Sequence, residues 1–175
     1  MGDGNANTLA FALQNRGDGA AGIDLSDVAF QSWSKTTDRV TITGTRSGND
    51  ISGSTENDII NGGGGRDSLQ GNEGADAFVF KAGFGRGVAH VSDFTRGQDI
   101  LQLDDAIFTE LKLGGLKKKA FGYGTEATKK KQHIIFDKET GVVRYDDDGS
   151  GKHDARKVAV LDDVSNLKFD DILVI

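Results

Sequence analysis

Gly53-Ser-Thr-Glu56-Asn-Asp58-Ile-Ile60-Asn, Gly62-Gly63-Gly-Gly65-Arg-Asp67-Ser-Leu69-Gln and Gly71-Asn-Glu-Gly74-Ala-Asp76-Ala-Phe78-Val follow one another at a period of nine. Each carries aspartate at its sixth place and an apolar residue at its eighth. The apolar series reaches back beyond these three segments, through Ile42 and Ile51, so that Ile42, Ile51, Ile60, Leu69 and Phe78 form one ladder. Glycine opens each segment and returns at the fourth place in two of them, while Glu56 stands there in the other. Self-similarity at a fixed short period marks an architecture built from stacked turns, in which each unit buries its apolar residue against its neighbours.

The pattern G-G-x-G-x-D-x-U-x is also a chemical statement. Calcium takes six to eight oxygen ligands, drawn from carboxylates and backbone carbonyls. Glycine reaches positive φ and turns the chain tightly enough to aim several carbonyls at one ion. Aspartate supplies the charge. The three residues after it make a short strand whose alternation sends the middle one inward. Two nonapeptides then complete one turn, which stacks repeat i on repeat i+2. The expected fold is all-β: a right-handed parallel β-roll, a nonapeptide calcium solenoid with capping strands or hairpins at both ends. On this reading Asp58 pairs with Asp76 on one edge, and Asp67 faces the preceding repeat on the other. The expected Ca²⁺ ligands of the repeats are Gly53, Glu56, Asp58, Gly62, Gly63, Gly65, Asp67, Gly71, Gly74 and Asp76. The first repeat, Gly44-Thr-Arg-Ser-Gly-Asn49-Asp50-Ile51-Ser, keeps its apolar register but places Asp50 one residue late, with Asn49 at the sixth position. Asp50 is the expected partner of Asp67.

Composition agrees. The 175 residues include 25 glycines, no cysteine and no proline, and the formal net charge is −6. With no disulfide available, metal is the candidate staple, and crowded acidic loops repel one another until cations neutralise them. No apolar stretch reaches the length of a transmembrane helix. The N-terminal residues lack the basic region and apolar run of a cleavable signal peptide. The charge is uneven: Leu111–Lys131 holds Lys112, Lys117, Lys118, Lys119, Lys129, Lys130 and Lys131 against one acid, Glu126. With no aromatic platform or recognition helix evident beside it, and with net acidity overall, this run reads as solvated loop and not as a nucleic-acid surface. The three histidines, His90, His133 and His153, are scattered, and H-E-x-x-H, P-loop and nucleophile-elbow motifs are all missing. The chain is not expected to be an enzyme by itself.

Beyond the repeats, Asp93-Phe94-Thr-Arg-Gly97-Gln-Asp99-Ile-Leu101-Gln-Leu103-Asp104 alternates as a strand after a Gly97 turn. This stretch and the nonapeptides resemble the RTX, or hemolysin-type, calcium-binding repeat proteins, and in particular the C-terminal domain of serralysin-type secreted proteins. The resemblance covers about residues 42–175. It implies that Asp93 and Asp99 serve a further calcium near the end of the roll, the other reading being that they cap turns. Ile134–Phe136 and Val142–Tyr145 read as a hairpin around a 138–141 turn, and the family has a similar terminal hairpin. Asp146-Asp-Asp148-Gly-Ser150-Gly151 fits the first half of an EF-hand loop, but Lys157 stands where the bidentate glutamate is needed, which favours a tight acidic turn.

Asp170-Asp171-Ile-Leu-Val-Ile175 resembles the uncleaved C-terminal signal read by type I exporters, which implies a secreted protein with that exporter as partner; the segment also reads simply as a strand. Four regions are expected: an N-terminal cap over 1–41, the calcium repeats over 42–80, a closing segment over 81–110, and a C-terminal β cap with the export signal over 111–175. Trp33, nine before Ile42, suggests a degenerate half-turn without calcium residues, and Arg16-Gly-Asp18 reads as a turn. The leading functional expectation is a module that folds on extracellular Ca²⁺ and carries the chain through a type I secretion system. The alternatives are a secreted adhesin, lectin-like or membrane-active protein that contacts extracellular polysaccharide or a cell surface through the lysine-rich region, and the C-terminal piece of a secreted hydrolase.

Overall fold

The computed structural model describes residues 7–14, 21–28, 30, 33–34 and 37–175. The Arg16-Gly-Asp18 tripeptide and parts of the 1–41 segment lie outside them. Short strands follow one another: β1 (Thr8–Ala12), β2 (Ala21–Asp24), β3 (Arg39–Thr45), β4 (Asn49–Ser52), β5 (Asp58–Gly63), β6 (Ser68–Gln70), β7 (Ala77–Phe80), β8 (Ala89–Val91), β9 (Ile100–Leu103), β10 (Gly114–Gly115), β11 (Phe121–Tyr123), β12 (Ile134–Phe136), β13 (Val142–Tyr145), β14 (Arg156–Leu161) and β15 (Ile172–Val174). They are divided between two sheets. The first has the order β1-β3-β5-β7-β9-β15-β10, and the second the order β11-β12-β13-β14-β8-β6-β4-β2. Through β9 the chain therefore changes sheet at every connection.

The expected all-β right-handed parallel roll with capping strands at both ends is overturned by this topology. The chain forms two mixed sheets of seven and eight mostly parallel strands, pairing of the kind that marks α/β-type folds, with helix among the described residues limited to 3-10 turns at Lys118–Ala120 and Phe169–Asp171. The reason lies in the second half of the chain. The strands after β9 enter the same two sheets and reverse direction within them, antiparallel at β10/β15, β12/β13 and β13/β14. β15 returns to lie parallel to β9, and β14 lies parallel to β8.

The apolar ladder decides the register. In the first sheet Phe11, Ile42, Ile60, Phe78, Leu101 and Ile172 pair in succession. In the second, Ile23, Ile51, Leu69, Val91 and Leu161 do the same. From Ile42 and Ile51 onward these side chains are at most 1% exposed, and burying each stabilises the fold by about 1.5–3 kcal/mol. A slip by one residue would turn every one of them outward. Trp33 does not supply the rung below Ile42; Phe11 and Ile23 fill those places, and Trp33 packs against Phe30 with ring centroids 4.8 Å apart. The 134–145 hairpin forms as the alternation predicts, with Gly141 at φ +67° in its turn.

Candidate metal centre

Where the chain crosses from the second sheet to the first, the loops 53–57, 71–76 and 92–99 stack along one edge. Their aspartates are tied to one another by backbone. The Asp58 N–H donates to Asp76 Oδ1 at 2.9 Å, and the Asp76 N–H donates to Asp99 Oδ1 at 3.0 Å. Within its own loop, Asp58 accepts from the Ser54 N–H at 2.6 Å and the Ser54 hydroxyl at 3.0 Å. Asp99 accepts from the Thr95 N–H at 2.7 Å. The spacing between linked aspartates is 18 residues for the first pair and 23 for the second, because the rung-to-rung steps from Phe78 to Val91 and from Val91 to Leu101 both exceed nine residues.

These carboxylates are inside the molecule. Asp58 and Asp76 are each 1% exposed, Asp99 6% and Glu56 8%. Two of their oxygens, Asp76 Oδ2 and Glu56 Oε2, are buried with no hydrogen-bond partner. No arginine or lysine forms an ion pair with any of the four among the described residues. Burial pushes Asp58 up to about 6, against hydrogen bonds from Ser54 and with added repulsion from Glu56. Burial pushes Asp76 up to about 8, with further repulsion from Asp99, Asp58 and Asp93, and it raises Asp99 too. Buried charge of one sign needs a counter-charge or a proton.

The backbones of neighbouring loops pack tightly on this edge. Gly74 is at φ +128°, and a Cβ there would run into the Glu56 carbonyl oxygen; one on Gly53 would lie 2.7 Å from the Gly71 carbonyl oxygen. Carbonyls of neighbouring loops thus converge where only glycine fits. A donor set of four carboxylates and several carbonyls is the hard-oxygen set that calcium takes. The residue types on this edge suit that ion, although no three of these carboxylates bring ligand atoms within 4.8 Å of one another.

The opposite edge is different. The Asn49 N–H donates to Asp67 Oδ1 at 2.9 Å, and burial pushes Asp67 up to about 6. The expected partner Asp50 is exposed, because strand alternation that buries Asn49 and Ile51 turns it outward. Asn49 occupies the sixth place instead: its Oδ1 accepts from the Thr45 N–H at 2.7 Å while its amide NH₂ donates to the Ala21 carbonyl at 3.0 Å. A neutral amide satisfies that carbonyl itself. Gly62, Gly63 and Gly65 line a small cavity beside Asp67, but Arg86 and Lys157 line it as well. Cationic side chains make this edge the poorer metal site.

Asp93 serves the first edge through backbone: its two oxygens accept from the Gly71 N–H at 2.9 Å and the Asn72 N–H at 2.8 Å. Among the described residues, the group of three acidic or histidine side chains whose ligand atoms gather within 4.8 Å is Asp147, Asp148 and His153. There His153 Nδ1 lies 2.8 Å from Asp147, whose other oxygen takes Arg156 at 3.0 Å. Hydrogen bonding to Asp147 raises His153, and the same bond lowers Asp147, so cations already balance this exposed cluster. The Asp146–Gly151 segment is a tight acidic turn, with Asp148 accepting from the Lys152 N–H at 2.7 Å. The roles of Asn49 and Ser54 escaped sequence reading, although Asn49 at the sixth place was the available signal. No helix among the described residues is long and apolar enough to cross a membrane. A scan against protein-family models gives no match, and a search of curated proteins gives none either.

Proposed function

We propose that this chain is a calcium-binding module of a secreted protein, folding when it meets extracellular calcium and carried out of the cell by a type I exporter. The observation that carries the reading is the buried, unpaired charge of Glu56, Asp58, Asp76 and Asp99 on one edge. Calcium there would be held by these carboxylates together with carbonyls of the 53–56 and 71–74 loops, and it would supply the positive charge that the protein does not. Without it the edge must either take up protons or open. Because the sites form only in the folded chain, binding free energy becomes folding free energy. Extracellular calcium modules bind with Kd of about 10⁻⁴–10⁻³ M, which would keep such a chain open in a calcium-poor cytoplasm.

The C-terminal segment supports the export half of the reading. Asp170-Asp171-Ile-Leu-Val-Ile175 is similar to type I export signals, yet Ile172 and Val174 are 1% and 2% exposed between β9 and β10. An exporter would have to read that segment before the chain folds. Far-UV circular dichroism during a calcium titration of an EDTA-treated sample, with magnesium as control, tests the proposal. A cooperative gain of β signal near millimolar calcium, absent with magnesium, is expected. A full β spectrum in EDTA that calcium leaves unchanged would defeat it.

A further inference from the structure

The longest lysine runs of the chain gather around one groove, whose Asp170 wall meets Arg96 of the 92–99 loop. This groove, of about 1070 Å³, is lined by Lys118, Lys119, Lys129, Lys130, Lys131 and Lys168. All six side chains are exposed. Among the described residues none of them forms an ion pair with a carboxylate. The one acid on the lining, Asp170, lies 3.7 Å from Arg96. Six unpaired like charges gathered in a chain of net charge −6 repel one another, and an anion in the groove would relieve that repulsion.

The groove is also built of rings and held in shape. Phe121, Tyr123 and Phe169 line it with the lysines. The Tyr123 hydroxyl donates to the Leu167 carbonyl at 3.0 Å, and Lys138 Nζ sits 3.8 Å from the Tyr123 ring centroid. The lysine loop is fixed by Gln132: its N–H donates to the Lys129 carbonyl at 3.0 Å, and its Oε1 accepts from the Thr128 N–H at 2.9 Å. The neighbouring His133 N–H donates to the Ala120 carbonyl at 2.9 Å. A site shaped in advance loses less freedom on binding.

We infer that this groove binds an anionic oligosaccharide, a chain whose carboxylated sugars offer negative charge to the lysines and apolar ring faces to the aromatics. Its volume seats several linked sugars, whereas a flat bilayer surface would not enter it. The inference concerns a different surface from the calcium edge and stands whether or not that edge holds calcium.

Isothermal titration calorimetry in millimolar calcium, with circular dichroism of the same samples to establish that they are folded, tests it. The probe is a hexasaccharide with glucuronate at every second sugar, and a neutral hexasaccharide is the control. Binding of the charged probe alone is expected, weakened by about tenfold or more in the triple variant Lys129→Gln, Lys130→Gln, Lys131→Gln. The triple variant Arg46→Gln, Arg66→Gln, Lys81→Gln, at exposed positions on the loops of the opposite edge, removes the same charge and is expected to change affinity less than twofold. No binding by the folded wild-type chain would overturn the inference, as would equal binding of the neutral probe or equal losses in the two variants. Tighter binding to phosphatidylserine vesicles or single-stranded DNA than to the charged hexasaccharide would also overturn it.

Discussion

Asp76 sits at the centre of the acidic edge, giving its N–H to Asp99, taking one from Asp58, and keeping its second oxygen bare. Replacing Asp76 or Asp58 by alanine is expected to raise the calcium midpoint of folding by about tenfold or more, since even residues that only support a metal ligand cost that much. Asp50→Ala should leave the midpoint unchanged, because its side chain is exposed. Calcium titrations of the three variants by circular dichroism check both statements. Acid tests the same residues. In the metal-free chain Asp76 at about 8 and Asp58 at about 6 both lie above the ordinary unfolded aspartate value near 3.9. The folded state then holds more protons than the unfolded one, so stability falls as pH rises from about 4 to 8. Calcium competes with those protons, so its midpoint should rise as pH drops from 8 towards 5, with proton release on binding near pH 7. A midpoint flat across that range would show that these carboxylates do not hold the ion. Asp58, Asp67 and Asp76 were legible because period nine exposes them. Asn49 was not, because only a folded neighbour, the Ala21 carbonyl, reveals why an amide serves there.

At the scale of strands, the ladder carries the energy. Ile60 is fully buried in β5 between Ile42 and Phe78, so Ile60→Ala should cost about 2–5 kcal/mol. Urea denaturation in saturating calcium measures it, and a loss below about 1 kcal/mol would mean that the rung relaxes around the gap. Period nine and alternation made β4 to β7, β9 and the β12/β13 hairpin readable, since each depends on local pattern. Phe11 and Ile23 were hidden because longer connections break the nine-residue count, and Trp33 happened to preserve it. The mixing of strand directions was hidden for another reason. β10, β14 and β15 choose partners far away in sequence, and a short apolar strand carries no mark of whether its neighbour runs with it or against it.

Across the whole molecule, charge is sorted rather than spread: carboxylates are stacked inside one edge, and lysines line a groove on strands that join the sheets later in the chain. The sequence displays the lysine run with Phe121 and Tyr123 inside it, but not Phe169, which reaches the groove from far along the chain. The pairing of Ile172 with Leu101 and of Leu161 with Val91 has a temporal meaning as well. β9 and β8 each keep one edge unpaired until segments some seventy residues later have been delivered. A chain emerging gradually from a ribosome therefore holds one edge of β9 unpaired until residues 172–174 have been made. Such distant pairing is slow to form. The last rung of the first sheet thus closes only once residues 172–174 have arrived.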